Sequence, residues 1–260
     1  MSLSYIVLLI IAGLGAGIVT GLAGASAATI VTPLLVTFSS ISAYAAITVS
    51  LIADVFASFF SFMTYRKHGN VDMKHGITLT IFACLGAFIG SYIASTIPDA
   101  TLGSSSGMVT LMLGLNFVYK SFKAKKKGVA KPKRRFEEHQ GIASAILGSL
   151  IGLICGIVGA GGGIMILMIL TSVLGYDTKV AIGTSVLIMT FTALTGGVSH
   201  FIHLSAIPWM EFAITSVFAV IGAKLAAKFA NVASEEVLLR IVGITFTTLA
   251  IVMIIQKNVM

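Results

Sequence analysis

Charge is scarce in this chain: Asp, Glu, Lys and Arg make up 10% of its 260 residues. A soluble domain carries about a quarter, so a water-exposed globular surface is excluded. Cysteine is nearly absent too. Cys84 and Cys155 each sit alone in an apolar stretch, with no C-x-x-C or ligand-like neighbour. That excludes a disulfide framework and a cysteine zinc site, leaves both as small packing residues, and gives no reason to expect a metal or cofactor. The single tryptophan, Trp209, follows Pro208 and suits an interface anchor at a helix start. No basic stretch precedes the first apolar run, so a cleavable signal is not indicated and that run is expected to stay in the membrane.

What is abundant is apolar surface, 57% of residues, with a mean hydropathy of +1.04. The fold class this predicts is all-α, a polytopic integral membrane protein with about eight hydrophobic segments. Six have ordinary spanning length: 42–65, 76–97, 100–119, 179–202, 206–230 and 236–256. The other two, 5–38 and 142–175, are too long for one crossing and are interrupted by glycine and small residues. Between the halves, Lys120 to Glu138 holds nine Lys/Arg, two Glu and Pro132. It has no apolar periodicity. Beside a spanning helix such a run reads as a cytoplasmic orientation signal rather than a nucleic-acid site. The expected organisation is a first transmembrane repeat over 1–119, a basic linker over 120–140 and a second repeat over 141–260.

The repeat shows in the residues. Shifted by 135 positions, Gly13, Gly17, Gly21, Gly24 and Ala25 fall on Gly148, Gly152, Gly156, Gly159 and Ala160. Ala46, Ile47, Ser50 and His68 fall on Ala181, Ile182, Ser185 and His203. Transporters commonly carry such duplications. The evenly spaced glycines put small residues on one helix face, which permits close helix packing in lipid. The denser blocks, Gly24-Ala25-Ser26-Ala27-Ala28 and Gly159-Ala160-Gly161-Gly162-Gly163, differ in their physics. Glycines there weaken a helix by about 1 kcal/mol each and let backbone N–H groups face a ligand. A helix starting at such a break aims its positive end at an anion, unless the break is only a tight helix crossing.

These residues resemble the paired signatures of the sulfite exporter TauE/SafE family. The resemblance lies in Gly21-Leu22-Ala23-Gly24-Ala25-Ser26 with Pro33-Leu34-Leu35, and in Gly156-Ile157-Val158-Gly159 with the glycines that follow. Ala181-Ile182-Gly183-Thr184-Ser185 and Arg66-Lys67-His68-Gly69-Asn70-Val71-Asp72 extend it over nearly the whole chain. It implies a secondary transporter, not an enzyme, that moves small sulfur-containing anions (sulfite, thiosulfate or an organosulfonate) across a prokaryotic inner membrane. The first block departs from the pattern, with Ser26-Ala27-Ala28 where the second has three glycines.

The expected substrate-binding residues are Gly24, Ala25, Ser26, Thr29, Ser50, Gly159, Ala160, Gly161, Gly162, Gly163, Thr184 and Ser185. The Ser and Thr hydroxyls are uncharged anion donors, although each could instead bond a carbonyl one turn back. Asp54 is the only carboxylate well inside a spanning segment, and its cost at that depth marks it as a candidate for proton coupling. Met189 stands at the matching place in the second half. His200 and His203 are expected at a membrane boundary. The expected partners are a small anion and membrane lipid, with no nucleic acid; an oligomer is compatible with the pattern. An intramembrane hydrolase using Ser26 and His200, or an anion channel, are the alternatives.

Charge distribution predicts the topology. Eight simple crossings leave 13 of the 17 Lys/Arg inside. If each glycine-broken segment instead returns to its starting side, 16 of 17 lie inside and the two halves are inverted, the arrangement the positive-inside rule favours.

Overall fold

The computed structural model describes residues 3–39, 41–97, 140–158, 162–204 and 206–234, together with Val237, Leu238, Ile241 and Ile244. The segment at 100–119, the basic linker, Gly159–Gly161 and most of the segment at 236–256 lie outside the described residues. Those described form helices and no strand. In chain order they are α1 (Leu3–Ala23), α2 (Ala28–Phe38), α3 (Ala43–Lys67), α4 (Met73–Ser95), α5 (Gln140–Val158), α6 (Gly162–Met168), α7 (Thr178–Ile202) and α8 (Trp209–Val232). A π-helical turn, Ile169–Val173, prolongs α6.

Five of these helices (α1, α3, α4, α7 and α8) are long and apolar enough to cross a membrane. Their outer faces agree. Ile77, Ile81, Leu85, Phe88 and Tyr92 are exposed along α4, and Val217, Ile221, Leu225 and Phe229 along α8. Spacings of three and four put each set on one helix face, and apolar stripes of that size belong against hydrocarbon.

Both glycine-broken segments fold back on themselves. A Cβ on Gly15 would meet the Ile30 side chain at 3.4 Å, whereas one straight helix would hold these residues about 22 Å apart. Ser39 returns to within hydrogen-bonding reach of Tyr5. In the second half, Gly148 and Ile151 of α5 share an apolar gap with Ile166 and Ile169. Each segment is therefore a hairpin of a long helix and a shorter returning one.

The glycine stripes pack helices across the halves. Gly13 and Gly21 of α1 lie so close to α8 that a Cβ on either would sit 2.6 Å from the carbonyl oxygen of Thr215 or Ala223. Gly148 stands likewise against Leu79 of α4, at 3.0 Å, and Gly152 and Gly156 against Ala83 and Ala87. Numbering rises together in both pairs, so α1 runs parallel to α8 and α5 parallel to α4. The two central helices run oppositely. Tyr44 stacks on His200 with ring centroids 4.6 Å apart, Thr190 bonds Ser58 at 3.0 Å, and Gly183 lies against Tyr65. Yet α3 and α7 are counterparts, since 178 − 43 and 202 − 67 both equal 135.

Capping sets where the helices begin. Ser42 accepts the N–H of Ala45 at 3.2 Å to open α3, and Asp72 accepts that of His75 at 3.2 Å to open α4. Such caps contribute about 1 kcal/mol each. Ser42, Ser95, His203 and Pro208 gather at one end of the bundle, joined by Tyr5, whose hydroxyl bonds Glu211 at 2.7 Å. Asn70, Asp72, Tyr176, Lys179 and Asn231 gather at the other. Arg66, Lys67, Lys74 and Lys179 all belong to the Asp72 end, and α8 carries Lys228 close to it. Among the described residues the Tyr44 end has no Lys or Arg.

Candidate functional site

The first break is shaped by Gly24. Its φ of +60° is the left-handed region that costs other residues about 1–2 kcal/mol, and its N–H still closes α1 on Thr20 at 2.9 Å. A side chain there would also overlap the Ser185 hydroxyl. Four residues later α2 begins, with no cap from its own side chains at Ala27.

Asp54 supplies that cap from α3. Its Oδ1 accepts the N–H of Ala27 at 2.6 Å, its Oδ2 accepts the Ser26 hydroxyl, and Thr20 donates more weakly from 3.5 Å. The carboxylate is 1% exposed. His75–Asp72 is the ion pair among the described residues, so these neutral donors and the positive end of α2 do the work a cation would do elsewhere. The N–H and hydroxyl expected to face an anion thus hold the chain's own carboxylate. Composition could flag Asp54 as an intramembrane acid; only the fold shows which donors it takes.

The second break meets the first. A Cβ on Gly163 would overlap the Gly24 carbonyl oxygen and lie 2.6 Å from Met189 Sδ and 3.0 Å from Ala25 Cα. Met189 therefore packs on the second break, as its counterpart Asp54 packs on the first. Gly162 faces a different neighbour, Cys155 of α5, whose Sγ a Cβ would approach to 2.8 Å. Gly159, Ala160 and Gly161 lie outside the described residues.

The candidate hydroxyls divide. Ser185 donates to the Ile182 carbonyl at 2.8 Å and lies 3.5 Å from the Gly24 carbonyl, so it belongs to the junction of the breaks. Ser50 donates to Ile47 at 2.7 Å and accepts from Thr32 at 3.1 Å. Thr29 bonds the Ser26 carbonyl at 2.7 Å. Thr184 is farther away, accepting the Asp72 N–H at 3.0 Å. Ala25 is fully buried beside Gly163.

His200 lies near the Tyr44 end, two residues before α7 finishes, and is fully buried there. Its ring stacks on Tyr44, and Nε2 donates to the Gly156 carbonyl of α5 at 2.8 Å. Its Nδ1 has no partner. His203, one turn on, is exposed.

A cavity of about 740 Å³ opens at the Tyr44 end, lined by Ser42, Tyr44, Ala45, Ile97, His203 and Ile207 among others. At the opposite end a polar cluster fills the corresponding space. Asp72 is its hub: Oδ2 accepts Tyr176 and His75 Nδ1, both at 2.8 Å. Burial alone would raise its pKa, but bonds from His75 and Tyr176 outweigh that and hold it below the usual carboxylate range. Asn70 donates to Asn231 at 2.7 Å, and Lys179 to the Asn231 carbonyl at 2.8 Å. The sequence signal for this cluster was confined to the 66–72 motif.

The sulfite exporter TauE/SafE family model matches residues 9–253. The chain belongs to the sulfite exporter TauE/SafE family. Among curated relatives, it is 26% identical to the probable membrane transporter protein YunE of Bacillus subtilis over 241 residues, 85% of this chain and 87% of that one. It is 26% identical to the probable membrane transporter protein YdhB of the same organism, covering 85% and 89%. A probable membrane transporter protein of Xylella fastidiosa is 26% identical over 98% of this chain and 97% of its own. No solved structure matches. With its lipid-facing helices, this TauE/SafE member is an integral membrane protein of a transporter family, not of an enzyme family.

Proposed function

We propose that this transporter carries small sulfur-containing anions (sulfite, thiosulfate or an organosulfonate) across a prokaryotic inner membrane by alternating access, with its site where the two breaks meet. The observation that carries this reading is the contact of Gly163 with Gly24 and Ala25, beside the donors of Ser26 and Ala27. Those donors already hold one oxyanion, the Asp54 carboxylate. A sulfite or sulfonate offers the same pair of oxygens. Protonation of Asp54 would release Ser26 and Ala27 to the substrate, which couples a proton to the anion.

The two repeats, 1–119 and 141–260, are read as inverted across the membrane. Support comes from the opposed directions of the counterparts α3 and α7 and from the basic residues at the Asp72 end, which the positive-inside rule assigns to the cytoplasm. Inverted repeats bring their broken helices together near the midplane. A cavity open at one end and hydrogen-bonded at the other suits alternating access better than a channel. A hydrolase fits less well: Ser26 gives its proton to Asp54, while His200 bonds Gly156.

The test is uptake into proteoliposomes, using sulfite, thiosulfate, sulfoacetate and taurine under imposed pH gradients. Sulfite or a sulfonate should accumulate, and zwitterionic taurine should do less well. Failure of all four to bind or cross would end the sulfur-anion assignment.

A further inference from the structure

We propose that this structure is the outward-open state of the transporter and that the Asp72 cluster is its inner gate; the inference rests on the inverted-repeat reading above. The 135-residue shift pairs three residues that line the open cavity with members of the closed cluster. Ile207 corresponds to Asp72, Ile41 to Tyr176, and Tyr44 to Lys179. One set lines about 740 Å³ of open space. The other is joined by the Tyr176–Asp72 and His75–Asp72 bonds, by Thr184 on the Asp72 N–H, and by Lys179 and Asn70 on Asn231.

If the halves can exchange conformations, the alternative state has the Asp72 cluster parted and the outer walls closed. Ile41 would then meet Ile207, as Tyr176 now meets Asp72. The two gates differ in chemistry. The inner one is held by directional, charge-assisted bonds, while the outer one would close by apolar contact. Removing the bonds therefore favours the inward-open state without disturbing the outer walls.

The experiment uses the full chain in sealed vesicles, with Cys84 and Cys155 replaced and no substrate present. Ile207→Cys reports the outer cavity by its labelling rate with an impermeant maleimide, and Ile41→Cys added to it reports closure by oxidative cross-linking. Tyr176→Phe keeps the ring and loses one charge-assisted bond, worth about tenfold in an equilibrium. Asp72→Asn combined with it removes the carboxylate while leaving a cap for α4. The closed-to-open ratio should rise about tenfold in Tyr176→Phe and further in the combined variant, read as a stronger Ile41–Ile207 cross-link and slower labelling of Ile207→Cys. Unchanged or faster labelling in both variants, each eluting as monodisperse protein, would overturn the gate. Because no anion is added, shifted labelling without transport would sink the sulfur-anion reading alone, and transport with unmoved labelling would sink the gate alone.

Discussion

The N–H of Ala27, at the start of α2, points at Asp54 Oδ1 from 2.6 Å. This contact joins the tip of the first hairpin to the central helix α3, and the Ser26 hydroxyl completes it. A carboxylate so placed serves as a built-in anion. Asp54→Ala would strand a buried N–H and hydroxyl at about 1–3 kcal/mol each, so the informative variant is Asp54→Asn, whose amide oxygen can still accept. We expect Asp54→Asn to bind substrate but to flatten the pH dependence of transport. An unaltered pH profile in vesicles would reduce Asp54 to a structural cap.

The two described glycines of the second break should respond differently. Gly163 abuts backbone of the first break, the Gly24 carbonyl and Ala25 Cα, which cannot move aside as a flexible side chain would. Gly163→Ala is expected to lower transport about tenfold or more, on the scale of an overpacked core at about 1–3 kcal/mol. Gly162 abuts Cys155 Sγ and Cβ. Gly162→Leu should abolish transport with membrane expression largely retained. Gly162→Ala should be milder in a Cys155→Ala background than alone. Equal effects of Gly162→Ala in the two backgrounds would show that Cys155 is not what limits the site.

The Asp72 carboxyl should not itself titrate near neutrality. Its folded pKa is lowered, so its stabilising effect is full above the unfolded value, about 3.9. That effect is lost only as pH falls through the lower folded value. Between pH 5 and pH 8, on the order of the physiological range, the carboxylate stays charged beside His75 and Tyr176. In a His75→Gln background, Asp72→Asn should accordingly scale transport by one factor at every pH in that window. A change in the shape of the profile would contradict this.

Much of the architecture is legible in the residues. A shift of 135 that aligns Gly13 with Gly148 also aligns the bounds of α3 with those of α7, because duplicated sequence folds alike. The breaks at Gly24 and Gly162–Gly163 follow from local glycine physics. Partners chosen across the chain are not legible. Thr184, Ser185 and Ser50 read alike as hydroxyls on spanning helices, yet one bonds Asp72 at a membrane end, one sits by Gly24, and one is spent on Ile47. Helix rotation and register decide among them. His200 is similar: its place near the end of α7 is legible, while its bond to the Gly156 carbonyl of α5 is not.

Topology gives the last prediction. The Tyr44 end holds no described Lys or Arg, and the Asp72 end holds Arg66, Lys67, Lys74 and Lys179, with the basic linker expected on the same side. Lys224 does not upset this, since its ammonium sits 4.1 Å from the Phe60 ring centroid and can snorkel along α8 toward Lys228. The Tyr44 end should therefore face outward. Ala206 and Ser234 are both exposed and flank α8 at opposite ends. In a background lacking Cys84 and Cys155, Ala206→Cys should react with an impermeant maleimide added outside intact cells. Ser234→Cys should react only after the inner face is opened. The first half must then enter with α1, return through α2 and cross with α3, so its partner begins from the other face. The reverse labelling pattern would overturn the proposed orientation, and reaction of both cysteines from one side would remove α8 as a single crossing.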